Sequence, residues 1–175
     1  MQQIDSAFLA KWRTQSGKDL QSLSMQQPTM VVFLRHFGCT FCREALADLA
    51  EERTAIEAQG TNIVAVHMSL PERADAFFAK YDLTDLERIS DPSQALYQHF
   101  SLQRGKLGQL FGWKSWARGF VAGILNGHLV GKEEGDGFQM PGVFLLEKGK
   151  ITRAFLHESA ADRPDYVDLA TCPIT

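Results

Sequence analysis

The sequence predicts an α/β fold, a mixed central sheet with helices on both faces. Two short stretches, 30–34 and "NIVAVHMS" at 62–69, are apolar almost throughout, as strands buried on both faces are. Helix-like segments follow each, so these strands pair in parallel through right-handed crossovers. Near the end, "GVFLL" and "KITRAFL" flank "EKGK". That is the pattern of a hairpin with a glycine-containing turn, and it adds antiparallel strands.

Each element has its own signal. Ile4, Phe8, Leu9 and Trp12 have helical spacing and predict an N-terminal helix over 4–14. After the strand at 30–35, a helix is expected over 39–59. Leu46, Leu49, Ala50 and Ile56 lie near one face, and Glu44, Asp48, Glu51 and Glu52 near another. Gly60 supplies the stop. Pro71 opens a helix reaching Tyr81, and "LERIS" is a short third strand. Asp91 as N-cap and Pro92 at the first helical position start the next helix. Residues 101–139 are glycine-rich and read as an insertion carrying a helix around 113–125, since long structureless loops are rare in compact domains. "DRPDYVDLA" reads as a closing helix, capped through Ser159 or Asp162. No repeat or interdomain linker interrupts the 175 residues, so a single domain over 1–175 is expected.

Composition excludes several function classes. A net charge of -3 gives no electrostatic reason to expect nucleic acid. The apolar stretch at 107–131 carries Lys114, Arg118 and His128, which argues against a spanning helix. The start lacks a basic segment followed by a long apolar one, so a cytoplasmic protein is expected. Three cysteines, Cys39, Cys42 and Cys172, are too few for a disulfide scaffold.

Cys39 and Cys42 form a CxxC pair where the first strand feeds its helix, and ligands of open α/β sheets gather at such strand ends. At the helix N-terminus, the dipole and unpaired backbone N–H groups stabilise an anion, here a thiolate, which is the nucleophilic form. Arg35 and His36 add positive charge, although His36 reads equally well as a solvated rim residue. A structural zinc site needs about four ligands. One pair plus the scattered His67, His99, His128 and His157 does not supply that pattern. No metal or cofactor is therefore expected. The remaining readings are a redox dithiol and two inert buried thiols, and the CxxC within a βαβ pattern favours the dithiol.

"VVFLRHFGCTFCREALADLA" resembles the active-site segment of the thioredoxin-like superfamily. Its details are most similar to the peroxiredoxin-like AhpC/TSA-related group, in the selenoprotein-L-like and prostamide/prostaglandin F synthase branch. "GDGFQMPGVFLLEKGKI" and "HESAADRPD" resemble that group's C-terminal half, and the likeness covers about 25–170. The resemblance implies a thioredoxin-like fold and an antioxidant oxidoreductase with a redox-active disulfide, Cys39 as nucleophile and Cys42 as resolving thiol. It implies a thiol reductant such as thioredoxin or glutathione, and a disulfide or peroxide substrate. It also implies that Pro141 is the proline beside the cysteines, so a cis Met140–Pro141 bond is expected.

True peroxiredoxins resemble Pro-x-x-x-Thr-x-x-Cys, with an arginine from a later strand. With Cys42 laid on the peroxidatic cysteine, Arg35 falls on the proline, Cys39 on the threonine and Pro141 where the arginine is sought. These departures favour thiol–disulfide exchange over an atypical thiol peroxidase, for which Arg35 or Arg153 would have to substitute. A non-catalytic redox sensor is the third reading. His67 reads as a core or rim residue, Arg43 as mainly solvated, and Cys172 as inert. The aromatic and basic residues of 104–120 suit a lid over the dithiol or a buried inserted helix rather than a membrane surface. A homodimer through that face is a further expectation.

Overall fold

The structure is a computed structural model, and it describes residues 2–35, 37, 40–105, 136–158 and 162–171. Six strands form one sheet in the order β1-β6-β5-β2-β3-β4. They are β1 (Gln2–Gln3), β2 (Thr29–Phe33), β3 (Asn62–His67), β4 (Glu87–Ser90), β5 (Gly142–Glu147) and β6 (Lys150–Leu156). β2, β3 and β4 run parallel, whereas β5 is antiparallel to both β2 and β6. The sheet is mixed, as its sequence pattern requires.

Helices cover both faces because alternate strand residues are apolar on both. Met30, Val32, Ile63, Ala65, Val143 and Leu145 pack beneath α3 (Thr40–Ala58), α4 (Pro71–Phe78) and α6 (Tyr166–Ala170). Val31, Phe33, Val64, Val66, Phe144 and Leu146 pack against α1 (Ser6–Leu9), α2 (Leu20–Gln26) and α5 (Ala95–His99). Along α3 the buried stripe is Cys42, Leu46, Leu49 and Ile56, at helical spacing, while Ala50 is exposed. Gly60 ends the helix at φ +76°, its N–H donating to the Glu57 carbonyl at 2.9 Å.

Several boundaries differ from the sequence expectations. The N-terminal helix is a single turn, and the second element, α2, begins behind Asp19, whose carboxylate accepts from the Ser22 N–H at 2.8 Å. Asp91 does cap α5, accepting from the N–H groups of Ala95 at 3.1 Å and Leu96 at 2.8 Å. However, Pro92 lies in the preceding turn and the helix starts at Ala95. The last helix is capped by Asp165, which accepts from Asp168 N–H at 2.8 Å. Asp162 instead accepts from Glu158 N–H at 2.7 Å.

The hairpin turn has Lys148 at φ +51° and Gly149 at φ +73°, the two left-handed residues that a type I′ turn requires. A register shift between Leu145 and Leu146 then offsets β5 against β6 by one residue. Of the insertion, residues 106–135 lie outside the described residues, and with them the helix expected around 113–125 and most of the 104–120 face. Its two ends meet as a stem. Gly105 N–H donates to Phe138 O at 2.7 Å, and Met140 N–H to Gln103 O at 3.2 Å. No helix among the described residues is long and apolar enough to cross a membrane.

Candidate active site

The site lies at the C-terminal end of β2, where the chain turns into α3. Cys42 occupies the first turn of α3, 3% exposed. Its sulfur accepts the Arg35 backbone N–H at 3.1 Å. The N-terminal end of the helix dipole and this N–H both favour negative charge on the sulfur.

Cys42 opens on a cavity of about 20 Å³, which it lines with Arg35, Pro141, His157, Asp162 and Arg163. That is room for roughly one water molecule. Arg35 is buried, its Nε donating to the Gln139 carbonyl at 3.1 Å and its Nη2 to the Gly137 carbonyl. The guanidinium therefore ties the insertion stem to the cavity. Arg163 donates to Asp48 at 2.9 Å and also pairs with Glu44, holding the segment after β6 onto α3.

Two of the residues predicted from sequence, Cys42 and Pro141, come together on this cavity. Cys39 and His36 lie outside the described residues, as does Cys172. No peptide bond among the described residues is cis, so Met140–Pro141 is trans, contrary to expectation. Pro141 stands immediately before β5, where its missing N–H removes no ladder bond from the strand's own span.

The other predicted side chains separate into near and far. Arg153 does not reach the site, because it is held by Asp168 at 2.6 Å and by Thr171 Oγ1 at 2.9 Å. His67 is a core residue, 1% exposed, its ring 5.4 Å from that of Phe37. Burial lowers its pKa to about 4, so it is neutral at pH 7. Arg43 lines a second cavity instead.

His157 was not among the predicted site residues. It is half-buried, and its Nδ1 is enclosed without a hydrogen-bond partner among the described residues. Burial lowers its pKa, against the opposing influence of the Asp162 carboxylate and the Pro141 backbone. The register explains its position. Gly142 pairs with Leu156, so one step further sets Pro141 beside His157.

A mixed α/β sheet with a cysteine at the mouth of its first long helix is the architecture of thioredoxin-like thiol enzymes. The profile of the AhpC/TSA antioxidant enzyme family matches residues 48–160, and the chain belongs to that family, a peroxiredoxin-like group of thiol oxidoreductases. The chain is 26% identical over 162 residues to prostamide/prostaglandin F synthase of Xenopus laevis, covering 87% of this chain and 76% of that one. It is 29% identical over 86 residues to the chloroplastic thioredoxin-like protein AAED1 of Arabidopsis thaliana, covering 49% of this chain but only 34% of that protein. Among solved structures it resembles the bacterioferritin comigratory protein of Xanthomonas campestris, with TM-score 0.63 and 16% identity over 93% of this chain and 88% of that one. It also resembles the peroxidoxin BcpB of Mycobacterium tuberculosis, with TM-score 0.60 and 17% identity over 91% and 87%. At these identities the structural likeness establishes the fold.

Proposed function

We propose that this chain is a thiol–disulfide oxidoreductase that uses the Cys39–Cys42 dithiol to reduce disulfides or small oxidised substrates. The observation that carries this reading is the placement of Cys42. It is a buried sulfur at a helix start, held by the Arg35 N–H, sharing a cavity with Pro141 and a neutral histidine. A buried thiol suits a resolving role, because it meets the substrate only after a more exposed partner has reacted.

In this mechanism the Cys39 thiolate attacks one sulfur of the substrate disulfide, forming a mixed disulfide and releasing the other sulfur as a thiolate. Cys42 loses its proton to His157 Nδ1 through one water in the cavity. The Cys42 thiolate then attacks Cys39 Sγ, closing the Cys39–Cys42 disulfide and releasing the second substrate thiolate. Two electrons pass from the dithiol to the substrate. Thioredoxin or glutathione, as external dithiol or paired thiols, returns them, which suits the reducing cytoplasm.

A second reading, a thiol peroxidase, is favoured by one observation: the buried Arg35 lines the Cys42 cavity. Then the thiolate attacks a peroxide oxygen and forms a sulfenic acid that the second cysteine resolves. The relatives named prostamide/prostaglandin F synthase extend this to a carbon-bound O–O bond, which a dithiol cleaves to two hydroxyls.

Dithiothreitol-dependent reduction of a protein disulfide, lost in Cys39→Ser, supports the first reading. Rapid sulfenic acid trapping after stoichiometric peroxide, with no disulfide reduction, replaces it with the second. Reversible oxidation without turnover in either assay leaves a redox sensor. Low-pKa reactivity that persists at Cys42 in Cys39→Ser reverses the assignment of nucleophile.

A further inference from the structure

Gln139 stands in the insertion stem, 2% exposed, behind the Cys42 cavity rather than on its wall. Its side-chain Nε2 lies within hydrogen-bond distance of three carbonyls, those of Leu102 at 3.0 Å, Met140 at 3.2 Å and Gln103 at 3.4 Å. An amide nitrogen has only two protons to share among them. This buried amide therefore fixes both arms of the stem at once. The stem in turn lies tightly on the start of β5, since a Cβ at Gly142 would meet Leu102 Cδ2 at 2.6 Å.

The backbone of the same residue faces the redox site. The Gln139 carbonyl accepts from Arg35 Nε at 3.1 Å, and the Gly137 carbonyl accepts from Arg35 Nη2. Both bonds tie the guanidinium of Arg35, which is 3% exposed, to the stem. The sheet itself anchors the chain as far as Leu34, whose N–H donates to Val66 O at 2.9 Å and whose carbonyl accepts from Tyr97. Arg35 is the next residue, and its N–H meets Cys42 Sγ at 3.1 Å. A hydrogen bond is strong only when well aligned, and it favours a thiolate over a thiol.

We propose that Gln139 is a positioning residue for the redox site: through the stem and Arg35 it keeps the Arg35 N–H aimed at Cys42 and so sustains the reactivity of that sulfur. The proposal rests on the reductase reading above for its use in turnover, but not for its test. Combining Cys39→Ser with Cys172→Ser leaves Cys42 as the only thiol of the chain, and its ultraviolet thiolate absorbance can be followed against pH. Gln139→Met keeps the side chain's length without its donors. The titration midpoint is expected to rise by about one pH unit, a tenfold loss of thiolate at lower pH. With Arg35→Met already present, Gln139→Met is expected to add no further shift. His157 and Asp162 after β6, Arg163 and Tyr166 at α6, and Tyr97 of α5 also face Cys42 among the described residues. They are the same in every variant, so the comparison isolates the path through Arg35. An unmoved midpoint in Gln139→Met, or an equal shift with and without the Arg35 side chain, overturns the proposal. If circular dichroism shows either variant misfolded, Gln139→Asn replaces it, whose shorter amide cannot span both arms; an unmoved midpoint there also overturns it. The expected shifts in a protein whose native form has no reductase turnover sink the reductase reading and leave the positioning role standing.

Discussion

The Arg35 backbone N–H donates to the sulfur of Cys42 at 3.1 Å, closing the turn that carries the chain from β2 into α3. One residue thus reaches the site twice, through its N–H to the sulfur and through its guanidinium to the insertion stem. Replacing Cys42 by serine keeps an acceptor for that N–H while removing the resolving thiol. Turnover is expected to fall by ~100-fold or more, and a mixed disulfide between Cys39 and substrate should accumulate on non-reducing gels. Full turnover in Cys42→Ser would show that the second sulfur is dispensable.

His157→Gln keeps a polar side chain of similar reach but cannot take a proton at neutral pH. A loss of about 10²-fold in turnover is expected. The pH profile is the sharper measurement. Burial lowers the His157 pKa from its ordinary value, so the ring takes up its proton at lower pH than a free imidazole does. Turnover of the native protein should decline on the acid side at a pH lower than an ordinary imidazole would set, and this acidic decline should vanish in the variant.

His67 gives the fold its own acid sensitivity. The folded pKa is about 4 against an ordinary 6.5, so between these values the unfolded chain binds a proton that the folded chain does not. Stability is complete above pH 6.5 and falls as pH drops towards 4, by up to roughly 3 kcal/mol. In His67→Leu, denaturant midpoints measured at pH 7 and pH 4.5 should lie closer together than in the native protein. An unchanged difference assigns the acid sensitivity elsewhere.

Tyr97 fastens the strand ends that carry the site. Its hydroxyl lies 2.6 Å from the Leu34 carbonyl oxygen and 3.1 Å from that of Val66, fully buried between β2 and β3. Tyr97→Phe takes this donor from the Leu34 carbonyl, while that of Val66 keeps the Leu34 N–H at 2.9 Å, and a loss of about 1–3 kcal/mol is expected from urea denaturation. A variant as stable as the native protein would mean that the Leu34 carbonyl finds another donor.

The strands and long helices were legible because their signals are local. An apolar run buried on both faces, a proline at Pro71 or a glycine at Gly60 acts within a few residues. The single-turn α1 was read as longer, since the spacing of Ile4, Leu9 and Trp12 does not show where tertiary contact stops holding a helix. Cys42 was legible as a candidate, and its burial was implicit too: it shares a helical stripe with Leu46, Leu49 and Ile56. His157 was harder. Counting back from the Lys148–Gly149 turn pairs Leu146 with Ile151, and on that register Leu156 would face Pro141. The shift between Leu145 and Leu146 moves the pairing by one residue and brings His157 there instead. A one-residue offset reverses which side chains face the core, and nothing in "KITRAFLH" announces it.

The stem formed by Gln103–Met140 and Gly105–Phe138 hydrogen bonds brings the chain back almost to where it left. Its clasp is the buried Gln139 amide, which donates to Leu102 O at 3.0 Å, and Arg35 grips the stem's last carbonyls from the sheet. The ends of the segment between residues 105 and 136 are thereby held by the stem itself. Evolution or an engineer could shorten, lengthen or exchange that stretch, as at a cloning site, while Arg35 keeps its grip beside the sulfur.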